Sequence, residues 1–193
     1  MQLNIKNYIT LLGDTLSKIE VTNNDRFHLN FNNSVEDVVK IISNLKDKSN
    51  KVILIGNGGS ASISNHIAVD LWKNGGIKAI SFSDSSLLTC VSNDFGYKYV
   101  FEKPLEMFAV EGDILIAISS SGKSENILNG VKAAKNKSCG IITMSGFSPD
   151  NPLRLLGEIN FYVPSNSYGY VEIAHSVLCH YFVDIITSKK LNG

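Results

Sequence analysis

Two polar loops rich in glycine and serine each follow a short apolar run and lead into a helical pattern, which is the arrangement of a phosphate-binding loop. The first cradle (residues 56–60) follows the apolar residues 52–55, and the second cradle (residues 119–124) follows residues 114–118. Glycine lets an anion approach the main chain, and the amides and positive dipole end of a helix favour phosphate. We expect Ser60 to cap the first of these helices. Two such loops indicate a phosphorylated small-molecule ligand, and the alternative is a tight turn that binds nothing.

Four side chains on two predicted helices have acid–base or metal-binding chemistry. His66 and Asp70 are four residues apart and share a helical face. Glu172 and His180 can face one cleft while standing about 12 Å apart along their helix. Two histidines and two carboxylates are a suitable donor set for zinc, in a tetrahedral or an open site. The alternative is that the histidines are packed and the carboxylates solvated, and the angular position of His175 predicts a core or interface residue.

The elements that must position these groups alternate between strands and helices. This alternation predicts an α/β fold with a doubly wound, five-stranded, mainly parallel sheet flanked by helices. Both cradles then lie at the carboxyl ends of strands, where such sheets bind ligands. The predicted strands are residues 52–55, 77–82, 114–118, 139–144 and 159–163, and the main predicted helices are 60–73, 99–108, 125–137 and 170–187.

Two amphipathic helices, over residues 3–20 and 34–48, precede the sheet and are joined by an Asn-rich loop. The first stripe includes Leu3, and His28 in the loop is expected at the surface. We expect residues 1–193 to form a single domain, because the length suits one well-buried α/β unit. Residues 1–48 are expected to pack, as a helical extension, on the core or on a neighbouring subunit.

The composition narrows the classes of partner. Lys plus Arg and Asp plus Glu both number 18, so the formal net charge is zero, which argues against nucleic acid or an anionic membrane as an obligatory partner. The chain shows neither a signal peptide nor an apolar run of membrane-spanning length, which predicts a cytoplasmic protein. Cys90, Cys139 and Cys179 are widely spaced in apolar surroundings, which predicts buried thiols and no disulfide.

A nicotinamide-dependent oxidoreductase is one alternative function. Gly56, Gly58 and Ala61 match a loose dinucleotide fingerprint, and Asp84 follows the second predicted strand, where a ribose-binding carboxylate is expected. Against this hypothesis, the first turn is polar, and a pyrophosphate seated on one helix does not need a second, serine-rich cradle.

The combined motifs resemble those of a known family. They are Gly-Asn-Gly-Gly-Ser at 56–60, Ser-Asp at 83–84, Asn-Asp-Phe-Gly at 93–96, Ser-Ser-Ser-Gly-Lys-Ser at 119–124, and a last helix with His180. The chain resembles the sugar isomerase (SIS) domain and, within it, the phosphoheptose isomerases. The resemblance implies an aldose–ketose isomerase that converts sedoheptulose 7-phosphate to D-glycero-D-manno-heptose 7-phosphate through an enediol, for lipopolysaccharide or capsule heptose. It also implies one zinc ion per subunit, no nucleotide cofactor, and a homotetramer with sites at subunit interfaces.

The same resemblance assigns roles to individual residues. The residues implied to line the sugar are Asn57, Gly58, Gly59, Ser60, Asn93, Asp94 and Glu172, and those implied to hold the phosphate are Ser119, Ser120, Ser121 and Ser124. The implied zinc ligands are His66, Asp70, Glu172 and His180. The implied proton shuttle is Asp70 with His180.

Two departures from the family pattern affect the assignment of the base. The family usually has Glu at the position of Asp70 and Gln at the position of Glu172. A base displaced by about 1 Å can lose two orders of magnitude in rate, so the Asp70/Glu172 pair is expected to supply the base. A non-catalytic phosphosugar-binding protein of the same fold, of the type that associates with a replication initiator, is the alternative function. Retention of His66 and His180 with both carboxylates favours an enzyme.

Overall fold

A six-stranded sheet with strand order β1-β6-β5-β4-β2-β3 forms the middle layer of the fold. The computed structural model describes residues 4–191, with side chains to residue 188. Five strands are parallel, and β1 pairs antiparallel with β6 at one edge. The strands are β1 (Glu20–Thr22), β2 (Val52–Gly56), β3 (Ala79–Ser81), β4 (Ile114–Ser119), β5 (Gly140–Ser145) and β6 (Ile159–Tyr162).

Helices cover both faces of the sheet. They are α1 (Ile5–Ser17), α2 (Phe31–Ser43), α3 (Gly59–Asp70), α4 (Ser85–Asp94), α5 (Glu102–Phe108), α6 (Glu125–Asn136) and α7 (Tyr168–Leu191). A π-helical turn, Leu71–Gly75, continues α3, and short 3₁₀ turns span Tyr97–Tyr99 and Pro152–Leu155.

The core has two apolar clusters, one on each face of the sheet. In β2, Val52 and Leu54 point to the cluster formed with α2, α3 and α7, whereas Ile53 and Ile55 point to the cluster formed with α5 and α6. Burial on both faces explains why this strand is a continuous apolar run, as the sequence predicts.

The sixth strand corrects the predicted sheet of five. Glu20–Thr22 was expected at the end of the first helix and the start of a loop, yet these residues pair with β6. The side-chain amide of Asn160 donates to the Thr22 carbonyl at 3.1 Å, and Arg154 donates to Glu20 at 2.7 Å. These partners lie more than 130 residues away in the chain, so local patterning does not indicate the strand.

The leading helices differ from the predicted ones in bounds and in burial. Leu3 lies outside the described residues. The α1 helix has no buried residue and contacts α7 through Tyr8 and Tyr170, whose ring centroids are 4.6 Å apart. In contrast, α2 starts and ends earlier than predicted, and buries Val38 and Ile42 in the core.

The cysteines are free, but only two of the three are buried, so the prediction was wrong for Cys90. Cys90 is exposed because α4 lies at the surface and turns Leu87, Leu88 and Val91 toward the sheet instead. Burial raises the pKa of Cys139 to about 11 and that of Cys179 to about 12, so both thiols stay protonated at neutral pH. Within residues 4–191, no helix has the length and apolar character required to cross a bilayer.

Candidate active site

The two cradles meet in one cleft of about 230 Å³. They are adjacent because β2 and β4 are paired neighbours, with Gly56 in register with Ile118, so both loops leave the same edge of the sheet. The cleft is lined by Asn57, Gly58, Gly59, Ser60, Ser119, Ser120, Ser121, Ser124, Tyr168 and Glu172. All but Tyr168 are residues that the sequence predicts for a substrate site.

The first cradle starts α3 without a side-chain cap. Gly58 occupies the cap position with φ 54°, and Ser60 lies buried inside the first turn, so its predicted capping role was wrong. The chain turns so tightly that a β-carbon on Gly56 would stand 2.5 Å from the Ser60 carbonyl oxygen. Glycine is therefore required at this position, and the tight turn brings the loop backbone into the wall of the cleft.

The second cradle leaves hydroxyl groups available to a ligand. Ser124 is the cap residue of α6, but its hydroxyl does not cap the helix and lies 3.4 Å from the Ser119 hydroxyl. The Ser120 hydroxyl is buried and has no hydrogen-bond partner among the described residues. An unsatisfied buried hydroxyl costs about 1–3 kcal/mol, which a phosphate oxygen can recover by accepting a hydrogen bond.

Glu172 brings a carboxylate into the same cleft. It lies in the second turn of α7, and a β-carbon on Gly59 would collide with its carboxylate. Tyr168 stands one turn earlier on α7, where its ring packs edge-on against Phe147 with centroids 4.7 Å apart. The amino-terminal end of α7 thus closes the cleft with one acidic and one aromatic side chain.

A second group of titratable side chains joins α3 to α7. Asp70 Oδ2 lies 3.3 Å from His66 Nε2 and 3.9 Å from His180 Nδ1. One ligand atom from each of these residues lies within 4.8 Å of the other two. Two imidazole nitrogens and one carboxylate oxygen are ordinary zinc ligands, and three protein ligands leave a position open for water or substrate. The donor set therefore fits zinc.

The structure divides the four predicted metal ligands. Glu172 is not part of the histidine–aspartate group, whose ligand atoms lie within 4.8 Å of one another. It lines the cleft between the two cradles instead. The two carboxylates that the sequence treated as a pair therefore occupy different surroundings. Asp70 stands between two imidazoles, and Glu172 stands beside the cradles.

The helix widens directly after Asp70. The π-helical turn Leu71–Gly75 begins there, and the Asn74 side chain donates to Asp70 Oδ1 at 3.2 Å, while the other carboxylate oxygen faces the histidines. Short π-helical turns within α-helices often mark functional sites. The sequence predicted an ordinary helix over residues 60–73 and gave no sign of the π-helical turn.

Two predicted sugar-lining residues lie outside the cleft of this chain. Asn93 and Asp94 end α4 at the surface, where the Asn93 amide donates to Asp94 at 2.9 Å. Asp84 caps α4 by accepting from the amides of Ser86 and Leu87 at 2.9 and 3.1 Å. The nicotinamide hypothesis treated the Asp84 carboxylate as a ribose ligand. In the structure this carboxylate caps a helix instead.

The remaining histidines have the surroundings that the sequence predicts. His175 is fully buried, with Nε2 3.2 Å from the Ser145 carbonyl oxygen. Burial lowers its pKa to about 4, so this ring is neutral. His28 is exposed in the loop before α2.

Sequence reasoning missed two residues that contact the first cradle. Asn126 and Tyr97 both hydrogen-bond to the side chain of Asn57, and neither had been considered for the site. The position of Asn126, two residues after Ser124 at the start of α6, was the one available signal.

Comparisons with known proteins show the family and the fold of this chain. A family model described as "SIS domain" matches residues 22–146, so the chain is a SIS-domain protein. Phosphoheptose isomerases of Cytophaga hutchinsonii and Sulfurimonas denitrificans are 36% and 37% identical to it over 165 and 171 residues. These matches cover 82% and 85% of this chain, and 86% of each relative. Within the SIS class, the chain belongs to the phosphoheptose isomerase family, which confirms the resemblance.

Solved structures give the same result for the fold. A phosphoheptose isomerase from Francisella tularensis superposes with a TM-score of 0.82 at 25% identity, over 95% of this chain and 96% of that one. The enzyme GmhA from Neisseria gonorrhoeae gives 0.81 at 23% identity, over 94% and 97% of the two chains. The predicted α/β class is confirmed, apart from the added edge strand.

Proposed function

We propose that this chain is an aldose–ketose isomerase that interconverts sedoheptulose 7-phosphate and D-glycero-D-manno-heptose 7-phosphate. The observation that carries the proposal is that one cleft holds both the serine cradle and the Glu172 carboxylate, and that the Ser120 hydroxyl of this cradle has no hydrogen-bond partner among the described residues. The curated relatives named above are phosphoheptose isomerases, and they support this substrate. They do not favour the alternative of a non-catalytic phosphosugar-binding protein.

The second cradle binds the phosphate. Ser120 donates its buried hydroxyl, and the Ser119, Ser121 and Ser124 hydroxyls add further donors around the start of α6. Hydrogen bonds to a charged phosphate contribute about 1.5–3 kcal/mol each, more than those between neutral groups. Anchoring the phosphate fixes the sugar so that its carbonyl end meets the acid–base groups.

The reaction moves one proton between neighbouring carbons and needs no redox cofactor. A carboxylate removes a proton from C1 of the open-chain ketose while the C2 oxygen is protonated, which forms an enediol. Return of a proton to C2 and loss of the proton from the C1 oxygen then produce the aldose. We assign the base role to Glu172, because it shares the cleft with the phosphate cradle, whereas Asp70 stands between His66 and His180. The resemblance implies His180 as the acid, but in this chain it lies in the histidine–aspartate group and not in the cleft with Glu172, so we assign it to the metal site.

The proposed metal ligands are His66, Asp70 and His180. When bound there, zinc supplies Lewis-acid stabilisation of a sugar oxygen that gains negative charge. Asn74 orients Asp70 by holding its second oxygen.

The proposed assembly is a homotetramer with its sites at subunit interfaces. Exposed apolar side chains accompany the histidine–aspartate group. Val69 lies on α3, Trp72 lies on the π-helical turn that continues it, and Val177 and Tyr181 lie on α7. Burial of these side chains against another subunit favours association. We further propose that Asn93 and Asp94, which are exposed at the end of α4, line the sugar in a neighbouring subunit's cleft. We also propose that the enzyme works in the cytoplasm, where it supplies heptose for lipopolysaccharide or capsule. Light scattering tests the assembly, since a monomeric mass contradicts it.

The decisive experiment follows sedoheptulose 7-phosphate by proton NMR in deuterium oxide, with and without added zinc. We expect deuterium to enter next to the carbonyl and the aldose to appear. Glu172→Gln is expected to abolish exchange while keeping bound zinc, and Asp70→Asn is expected to lower the zinc content measured by mass spectrometry. Binding of the heptose phosphate without exchange refutes the isomerase. Exchange that survives Glu172→Gln but not Asp70→Asn, at equal zinc content, moves the base role to Asp70.

A further inference from the structure

The side chain of Asn57, in the first cradle, is hydrogen-bonded to Asn126, which lies at the start of α6 just after the second cradle. Asn57 Nδ2 donates to Asn126 Oδ1 at 2.9 Å, and Asn126 Nδ2 donates back to Asn57 Oδ1 at 2.9 Å. Asn126 is buried, with 3% of its surface exposed, in the first turn of α6. A reciprocal pair of this kind fixes the plane of both amides, because each gives one donor and one acceptor.

A third residue completes the hold on Asn57. The Tyr97 hydroxyl donates to Asn57 Oδ1 at 3.0 Å from the 3₁₀ turn that follows α4. That turn is tied to α6, since the Asn129 side chain donates to the Lys98 carbonyl at 3.1 Å. Asn57 is therefore held from two sides by elements that themselves contact each other.

Hydrogen-bond accounting defines what Asn57 offers to a ligand. An amide has two N–H donors and one oxygen with two lone pairs. The oxygen of Asn57 already accepts from Asn126 and Tyr97, and one of its N–H groups is given to Asn126. The group left for the cleft is a single N–H, which matches an oxygen acceptor of the sugar and not a hydroxyl acting as donor.

We propose that Asn126 is a positioning residue, which acts through Asn57 and, with Tyr97, aims one amide N–H at an oxygen of the bound sugar. The proposal rests on the proposed function for the identity of the sugar. In this proposal the serine cradle binds the phosphate of the ligand. The Asn126–Asn57–Tyr97 group binds an oxygen of its sugar.

A double-mutant cycle tests this role. Asn57→Ala, Asn126→Ala and the double variant are titrated by calorimetry with sedoheptulose 7-phosphate and, separately, with inorganic phosphate. We expect Asn126→Ala to weaken binding of the sugar phosphate about tenfold, the value of one hydrogen bond, and to leave phosphate affinity within about twofold. The double variant should bind the sugar phosphate no more weakly than Asn57→Ala, because Asn126 acts through Asn57.

Tyr97→Phe provides a test that does not depend on the folding of the buried variant. Tyr97 is exposed, so removal of its hydroxyl leaves the packing unchanged, and sugar phosphate affinity should fall by a few-fold while phosphate affinity is retained. Tyr99→Phe is the matched control, since Tyr99 lies in the same turn and its ring faces Lys98 and Lys103. It should bind both ligands as the wild type does.

Several outcomes overturn the proposal. Additive losses in the double variant, or parallel loss of sugar phosphate and inorganic phosphate, give Asn126 a merely structural role in α6. If the Tyr97→Phe variant binds the sugar phosphate as tightly as the wild type does, the Tyr97 hydroxyl does not position Asn57. These tests measure binding and not turnover. If the wild type binds the sugar phosphate without isomerising it, the proposed function is refuted, but the variants still test the positioning role of Asn126. A wild type that does not bind it refutes both.

Discussion

Replacement of Ser120 by alanine should make the free protein more stable and its phosphate binding weaker. The Ser120 hydroxyl is buried and has no hydrogen-bond partner in the described chain, so the folded state holds a desolvated polar group. Its removal relieves a cost of about 1–3 kcal/mol, and the methyl group of alanine fits the same space. We therefore expect Ser120→Ala to raise the free energy of unfolding by about 1 kcal/mol without ligand.

The effect on binding has the opposite sign. A hydrogen bond to a charged group contributes about 1.5–3 kcal/mol, which corresponds to a loss of about tenfold to a hundredfold in phosphate affinity. Urea unfolding of the free protein measures the first effect, and calorimetric titration with inorganic phosphate measures the second.

Ser34→Ala is the matched control. Ser34 is equally buried, but its hydroxyl donates to the Asn30 carbonyl at 2.8 Å on α2. Its removal should lower the free energy of unfolding by about 1 kcal/mol and leave phosphate affinity unchanged. If Ser120→Ala also destabilises the free protein, or if it binds phosphate as tightly as the wild type, the assignment of Ser120 to the phosphate is refuted.

Three further perturbations test separate parts of the structure. Gly59→Ala should displace the Glu172 carboxylate and lower turnover at least tenfold, while the affinity for inorganic phosphate stays unchanged. Equal losses of turnover and phosphate affinity contradict separate roles for Glu172 and the serine cradle. Burial lowers the pKa of His175 to about 4, so between pH 6.5 and 4 the unfolded state binds the extra proton, and stability should fall by about 3 kcal/mol as the pH drops through that window. Urea unfolding of His175→Gln should show a smaller fall, and an identical pH profile contradicts the cause. Asp113→Ala should cost about 3 kcal/mol in the same assay, because it leaves the Lys51 ammonium without its buried partner; a change below about 0.5 kcal/mol refutes that pairing.

Local patterns were sufficient for most of the sheet and for the cradles. The apolar run before the first cradle predicts a strand buried on both faces, and β2 has that burial in the structure. The serine-rich loop after β4 predicts a polar wall at a strand end, and those serines line the cleft. Both predictions depend on residues that are neighbours in the chain, whose backbone preferences and burial act together.

Predictions that depended on distant partners were less successful. The strand β1 exists because of Asn160 and Arg154, and its three residues show no strand pattern of their own. The capping role expected of Ser60 was wrong because Gly58 starts the helix with a positive φ. Cys90 is exposed because α4 packs on the sheet with a different face.

The sequence alone determined the family, the order of the strands and helices apart from the edge strand β1, and the set of polar groups available for phosphosugar chemistry. Each of these depends on short-range spacing and residue type. Tertiary structure decided which of those polar groups lie together in the cradle cleft and which lie in the histidine–aspartate group. Parallel pairing of β2 with β4 places the two cradles in one cleft, which the start of α7 lines with Glu172. The contact of α3 with α7 places Asp70 between His66 and His180. Helix spacing gives only the angle and rise of residues on one element. The distance between side chains on two elements depends on how those elements pack.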